Sequence, residues 1–245
     1  KPTQKFFRSR LDFGTQFDKF TTKSIMETLP KPFYQDDACT LFLGDCREIV
    51  PLLGRFDLLL TDPPYGIGAD KKMHKQGGTQ SGNSLAAKRH YDSTDWDSSP
   101  PDINLLRLII SACDRAIIWG GNYFELPPCV GPLVWDKENG TNYFADGELA
   151  WNNLGSALRI KRHMWHGMLR KNGETREHPT QKPLDVIAWC LSLAGDVQTV
   201  LDPFAGSGTT GRACKDLGRK CVMIEREERY AEICARRMAQ EVFKM

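Results

Sequence analysis

Apolar residues in this chain are spaced in two ways. Short runs at 38–43, 56–60, 116–119, 132–135, 148–151, 199–201 and 220–224 are nearly unbroken, as expected of strands covered on both faces. Segments 46–53, 103–112, 184–193, 212–217 and 227–242 repeat their apolar residues at helical spacing. Asp102 is placed to cap the second of these, and Gly195 to end the third. Strands alternating with helices predict an α/β fold built on a mostly parallel sheet. Segment 66–101 has little periodicity and several glycines and prolines, so it reads as a long loop or insertion. Segment 155–182 reads as a solvated hairpin or loop.

Two strands run directly into unusual turns. Leu58-Leu59-Leu60 leads into Thr61-Asp62-Pro63-Pro64-Tyr65-Gly66. Two prolines stiffen this turn, with an acid before them and an aromatic after. An exocyclic amino group on adenine or cytosine is a poor nucleophile, because its lone pair is delocalised into the ring. A site can help by accepting hydrogen bonds from both N–H groups. The Asp62 carboxylate and the Pro63 carbonyl, braced by Pro64, are suited to that task, and Tyr65 can stack on a base flipped out of a helix.

The second turn is Asp202-Pro203-Phe204-Ala205-Gly206-Ser207-Gly208-Thr209-Thr210-Gly211. Its glycines let backbone approach a ligand, and Glu225 closes the next strand at the distance where an acid meets a ribose hydroxyl. The glycine pattern alone also suits a nicotinamide cofactor. Asp202 argues against that, since a carboxylate beside a pyrophosphate is repelled and one beside a cationic ligand is attracted.

Composition narrows the class further. The 245 residues are 40% hydrophobic and 26% charged, with a net charge of +2. That charge is too mild to announce nucleic acid, so any basic surface must be local. Residues 155–182 are locally basic and are the best candidate for contacts to phosphate. Residues 1–32 interleave lysines and arginines with five phenylalanines and read as a basic N-terminal arm. None of the eight cysteines forms a C-x-x-C pair, which points to reduced, buried thiols. His163 and His166 make at most half a metal site by their sequence spacing. No apolar run approaches the roughly 20 residues of a membrane span, and a cytoplasmic protein is expected.

Six segments in one order carry a resemblance: 43–46 (Leu-Gly-Asp-Cys), 61–66, 148–151 (Glu-Leu-Ala-Trp), 178–183 (His-Pro-Thr-Gln-Lys-Pro), 200–210 and 222–225. In these the chain resembles the DNA amino-methyltransferases of the β arrangement, in which the catalytic tetrapeptide precedes the donor-binding loop. The resemblance implies a Rossmann-like mixed sheet of seven strands, the last antiparallel, with helices on both faces. It implies one catalytic domain over 33–245, with DNA-recognition insertions at 66–101 and 155–178. It implies S-adenosylmethionine as methyl donor and base flipping by Asp62, Pro63, Pro64 and Tyr65. Methyl transfer from a sulfonium needs no metal, so none is expected.

The donor would lie against Asp45, Cys46, Asp62, Asp202, Phe204, Ala205, Gly206, Ser207, Gly208, Thr209 and Glu225, with Lys182 by its carboxylate. Double-stranded DNA would be gripped by Lys71, Lys72, Lys88 and Arg89 of the first insertion. Arg159, Lys161, Arg162, Arg170 and Lys171 of the second would share that task. Asp62 in the first tetrapeptide position favours adenine N6, with cytosine N4 as the alternative. Members of the group are often homodimers, and a restriction endonuclease partner in the same prokaryotic or phage system fits the resemblance. A DNA-binding module without turnover and a nicotinamide oxidoreductase are the readings from other classes.

Overall fold

The computed structural model describes residues 28–68, 97, 99–139, 145–166, 169–170 and 181–241. Most of the expected N-terminal arm and of the 66–101 insertion lies outside these residues, as does part of 155–178. The principal strands are β1 (Tyr34–Gln35), β2 (Cys39–Leu43), β3 (Phe56–Thr61), β4 (Cys113–Trp119), β5 (Leu133–Asp136), β6 (Gly147–Asn152) and β7 (Arg159–Arg162). A two-residue pair, β8 (Trp165–His166) and β9 (Leu169–Arg170), stands apart, and β10 (Thr199–Asp202) and β11 (Lys220–Glu225) follow. The helices are α1 (Cys46–Ile49), α2 (Ile103–Ser111), α3 (Leu184–Leu193), α4 (Thr209–Asp216) and α5 (Glu228–Met238).

One nine-stranded sheet has the order β1-β2-β11-β10-β3-β4-β6-β5-β7. The five strands β2, β11, β10, β3 and β4 are mutually parallel. The class is therefore the expected mixed, Rossmann-like α/β sheet, with two differences of detail. There are nine strands rather than seven, because dipeptide β1 and charged β7 add an edge on each side. The chain's last strand, β11, runs parallel to its neighbours, and the antiparallel strand inside the sheet is β6, between β4 and β5.

Side-chain alternation along each strand explains why both faces are covered. Leu58 and Leu60 of β3 face one core with Ile117, Trp119 and Val200, and α3, α4 and α5 close it through Val186, Cys190, Cys214 and Cys234. Leu59 faces the other core with Phe42, Ile118 and Ile224, closed by α1 and α2 through Ile49, Leu105 and Ile109.

Local signals behave as their chemistry requires. The Asp102 carboxylate accepts from the backbone N–H groups of Asn104 and Leu105 at 2.9 and 3.0 Å, which caps α2. The 46–53 helix breaks after Ile49 into a tight 3₁₀ turn, Val50–Leu52, where Pro51 enters. All eight cysteines are free, seven of them buried, and burial pushes the thiols of Cys39 and Cys113 up to about 12.

Candidate active site

Parallel strands deliver their carboxyl ends to one edge of a sheet, where open α/β folds bind ligands. Here that edge gathers Gly44 and Asp45 after β2, Asp62 after β3, Gly120 after β4, Asp202 at the end of β10 and Glu225 at the end of β11. β6 runs the other way, and its register sets Ala150 opposite Trp119. Its first residues, including Glu148, therefore reach the same edge.

One cleft opens along this edge. Asp45, Cys46, Asp62, Lys182, Asp202, Phe204, Ala205, Gly206, Ser207, Thr209 and Glu225 all line it, together with Pro64, Leu105 and Tyr230. Of the expected donor-binding residues only Gly208 does not. It takes φ +78°, and a Cβ there would lie 2.5 Å from Cys234 Sγ, so its role is the close packing of the loop on α5.

The glycine-rich loop after β10 is held by carboxylates. Glu225 Oε2 accepts from the Gly206 N–H at 2.7 Å, and Oε1 from the Glu227 N–H at 2.9 Å. Asp202 Oδ1 accepts from the Thr61 hydroxyl at 2.7 Å and from the Phe204 N–H at 3.2 Å, which ties β10 to β3. Burial pushes the Asp202 carboxyl up to about 6, against the opposing pull of Thr210 and Thr61, and the nearby charge of Asp62 adds to the rise. Burial also raises Glu225 above the ordinary carboxylate range. Arg237 of α5 donates to the Ser207 carbonyl at 2.8 Å, to the Ser207 hydroxyl at 3.0 Å and to the Thr209 hydroxyl at 3.2 Å.

The Thr61–Gly66 turn is organised around a buried cation. Lys182 Nζ lies 2.5 Å from Asp62 Oδ2 and 3.1 Å from Glu148 Oε2, and it donates to the Tyr65 hydroxyl at 3.1 Å. An ammonium has three donors, and these three acceptors use them all. Glu148 in turn pairs with Lys137 at 2.6 Å. Burial alone would lower the Lys182 ammonium, but Asp62 and Glu148 outweigh it and raise it. Burial would also raise Glu148, but Lys182 and Lys137 hold it down at about 2. Asp62 is raised by burial, with Lys182 opposing and Glu148 adding to the rise. Lys182 therefore stands among Asp62, Tyr65 and Glu148, where the resemblance had placed it at a donor carboxylate.

Tyr65 is also engaged. Its hydroxyl donates to Asp62 Oδ1 at 2.6 Å, and burial followed by the Asp62 charge keeps it protonated. Its ring stacks on Tyr123, with centroids 4.8 Å apart and planes 14° apart. A base stacking directly on that face of Tyr65 must displace Tyr123. Pro63 is buried and Pro64 lines the cleft. The Gly66 N–H donates to Asp97, buried from the far end of the insertion, at 2.8 Å.

The cationic candidates divide. Arg159 and Arg162 are exposed and Lys161 half-buried on the edge strand β7, and Arg162 pairs with Asp136 at 3.4 Å. β7 lies four strands from β3, roughly 19 Å at ordinary strand spacing. Lys71, Lys72, Lys88, Arg89 and Lys171 lie outside the described residues, and Arg170 is described by its backbone alone. His163 Nδ1 sits 3.4 Å from Asp185. Glu148, Lys137 and Tyr123 were not among the expected site residues. A glutamate opening an otherwise apolar strand was the available signal for the first.

Comparisons with known proteins extend the resemblance. Residues 132–236 match the family model described as DNA methylase, of the N6/N4 type. The chain is 26% identical to the Type II methyltransferase M2.LlaDCHI of Lactococcus lactis subsp. cremoris, over 86% of this chain and 93% of that protein. It is 24% identical to M.HinfI of Haemophilus influenzae, over 82% and 68%. Identity to M2.DpnII of Streptococcus pneumoniae is 41%, over 44% and 42%. Among solved structures, the fold matches the M1.HpyAVI–SAM complex with a TM-score of 0.52 at 21% identity, over 82% of this chain and all of that one. It matches the cytosine-N4-specific PvuII DNA methyltransferase at 0.54 and 13% identity, over 87% and 91%. The family match and these relatives, added to the motif order, show a chain similar to the DNA amino-methyltransferases.

Proposed function

We propose that the chain transfers a methyl group from S-adenosylmethionine to the exocyclic N6 of adenine in double-stranded DNA, with cytosine N4 as the alternative acceptor. The observation that carries this reading is that Asp62 and the 202–207 loop line one cleft. An acceptor of amino hydrogens and a ligand loop thus share a space, as a two-substrate transfer needs.

The donor set fits a cationic ligand. Asp45, Asp62, Asp202, Glu225 and Glu227 outnumber Arg47, Lys182 and Arg226 on the cleft, while Leu105, Phe204 and Tyr230 supply surface for a flat ring. The same acids disfavour a pyrophosphate, and with it the nicotinamide reading. When bound, S-adenosylmethionine supplies an electrophilic methyl on a sulfonium whose sulfur takes the C–S electron pair. The protein's part is positioning and hydrogen-bond acceptance. Asp62 accepts an amino hydrogen, which draws lone-pair density back onto nitrogen as the N–C bond forms. One amino proton is released, and no protein nucleophile is needed. The buried, undissociated thiols are consistent with that.

The Type II methyltransferase names of the relatives support a DNA-modifying enzyme; a restriction endonuclease partner, a homodimer and a cytoplasmic location are carried by the resemblance alone. No helix among the described residues is long and apolar enough to cross a membrane.

The test is incubation with methyl-labelled S-adenosylmethionine and unmethylated genomic DNA, followed by nucleoside mass spectrometry. N6-methyladenine is expected. N4-methylcytosine alone assigns the alternative, and unlabelled DNA refutes the activity. Asp62→Ala should cut the rate by about 10²-fold or more while donor binding survives.

A further inference from the structure

We infer that Glu148 is a positioning residue for this transfer, fixing Lys182 and thereby setting the charge that Asp62 presents to the target amino group. The inference rests on the function proposed above and assigns a role to a residue which that proposal does not use.

The geometry is a chain of alternating charges: Lys137, Glu148, Lys182, Asp62. Lys137 meets Glu148 Oε1 at 2.6 Å, and Glu148 Oε2 meets Lys182 at 3.1 Å. Lys182 meets Asp62 Oδ2 at 2.5 Å. These residues come from four places in the fold. Lys137 follows β5, Glu148 is the second residue of antiparallel β6, Lys182 precedes α3, and Asp62 follows β3. The Lys182 side chain is 5% exposed, so it needs counter-charge to remain an ammonium.

Asp62 alone could provide that counter-charge, and then the catalytic acceptor would be fully committed to the lysine. A second carboxylate on the far side changes the balance. Glu148 shares Lys182, so Asp62 is less neutralised by the ammonium and stays a more basic acceptor, with lone pairs for an amino hydrogen. Glu148 is itself steadied by Lys137, so the pull on Lys182 is graded rather than maximal.

Other charged and titratable groups near Asp62 are few among the described residues. Tyr65 bonds it from its own turn, with Tyr123 stacked behind, and Asp202 acts on it from β10. Removing the charge at Glu148 shifts the titrations of Asp62 and Lys182 in the same sense, and removing it at Lys137 shifts both in the opposite sense.

The experiment measures initial rates of labelled-methyl transfer to unmethylated genomic DNA, saturating in both substrates, from pH 5 to 9. It compares wild type, Glu148→Gln, Glu148→Asp and Lys137→Met. Removing the Glu148 charge makes ionisation of Asp62 easier and protonation of Lys182 harder. Glu148→Gln should thus move the whole profile to lower pH, by about one unit. Lys137→Met leaves Glu148 less neutralised and should move it to higher pH. Glu148→Asp keeps the charge and should leave the profile near wild type. The base's own titration is common to all four.

Opposite shifts in Glu148→Gln and Lys137→Met support the role. A lower amplitude with an unmoved profile, or shifts of the same sign, overturns it and leaves Glu148 merely structural. If Glu148→Gln does not fold, Lys137→Met decides alone, because Lys137 is at the rim of the network: an upward shift supports the role and no shift overturns it. An inactive wild type would instead refute the proposed function, and this inference with it.

Discussion

The Tyr65 hydroxyl donates to Asp62 Oδ1 at 2.6 Å, so the two ends of the Asp-Pro-Pro-Tyr turn are tied to each other. The prolines between them make that closure inexpensive in entropy, since they have little freedom to lose. Asp62 Oδ1 therefore has a fixed direction before any substrate arrives. Tyr65→Phe should keep the stack on Tyr123 and lose this bond. Its unfolding free energy should fall by about 1 kcal/mol, and methyl transfer by roughly tenfold, an amount equal to about 1.4 kcal/mol of positioning. Denaturant melts and labelled-methyl transfer check the two numbers. An unchanged rate would show that Asp62 is directed by Lys182 alone.

Asp202 makes donor binding dependent on pH. Its carboxyl is raised to about 6 by burial, so the folded chain holds that proton more tightly than the unfolded chain does. Without ligand, the stability this group contributes is present below pH 4 and lost as the pH rises through about 6. A cationic ligand favours the ionised form and reverses the preference. S-adenosylmethionine should bind more tightly as the pH rises from 5 to 7 and level off above, with proton release near pH 6. Calorimetry in two buffers of different ionisation enthalpy detects that proton. Asp202→Asn should bind more weakly and lose the pH dependence.

The fold and the site were legible in the sequence to different degrees. β2, β3, β10 and β11 were plain because a strand covered on both faces must be apolar throughout, and their ends carry Asp45, Asp62, Asp202 and Glu225 to one edge. β7 was not plain. Arg159-Ile160-Lys161-Arg162 has no apolar run, and it is a strand because it pairs with β5. β4 also starts earlier than its apolar run: Asp114 and Arg115 are exposed, with Asp114 paired to Arg55 at 2.6 Å and Arg115 set opposite Leu58 in the ladder. The charge network was hidden for a related reason. Lys182 meets Tyr65 across 117 residues of chain, and Glu148 reaches them only because β6 runs backwards. Side-chain meetings of that kind follow from topology and leave no mark on local periodicity.

Gly120 and Gly155 offer a matched comparison. Both take φ +71°, where any Cβ is strained, but their surroundings differ. A Cβ on Gly120 would lie 2.1 Å from Tyr65 Cε1, whereas one on Gly155 would meet nothing within 4 Å. Gly155→Ala should cost about 1 kcal/mol, from backbone strain alone. Gly120→Ala should cost about 2–4 kcal/mol, because Tyr65 is held by Asp62 and Tyr123 and has nowhere to go. Only Gly120→Ala should depress methyl transfer. Thermal melts and rates on the pair separate backbone strain from displacement of the tyrosine. Equal losses of activity would mean that Tyr65 tolerates the push.

Arg237 separates holding the donor from using it. Its guanidinium reaches from α5 to the Ser207 carbonyl, the Ser207 hydroxyl and the Thr209 hydroxyl. These bonds fix the loop between two glycines, Gly206 and Gly208, that would otherwise leave it free to move. Arg237 is not among the residues lining the cleft, so it acts on the shape of the loop and not on the ligand. Arg237→Met keeps the apolar stem and removes all three bonds. The loop must then be ordered at the expense of binding energy. The dissociation constant for S-adenosylmethionine should rise about tenfold, which is about 1.4 kcal/mol, while the rate at saturating donor stays near wild type. A melt in the absence of donor should show a smaller change than a melt in its presence, because the lost bonds matter most where the ligand presses on the loop. A fall in the saturated rate with unchanged affinity would move Arg237 from the loop's shape to the chemistry itself.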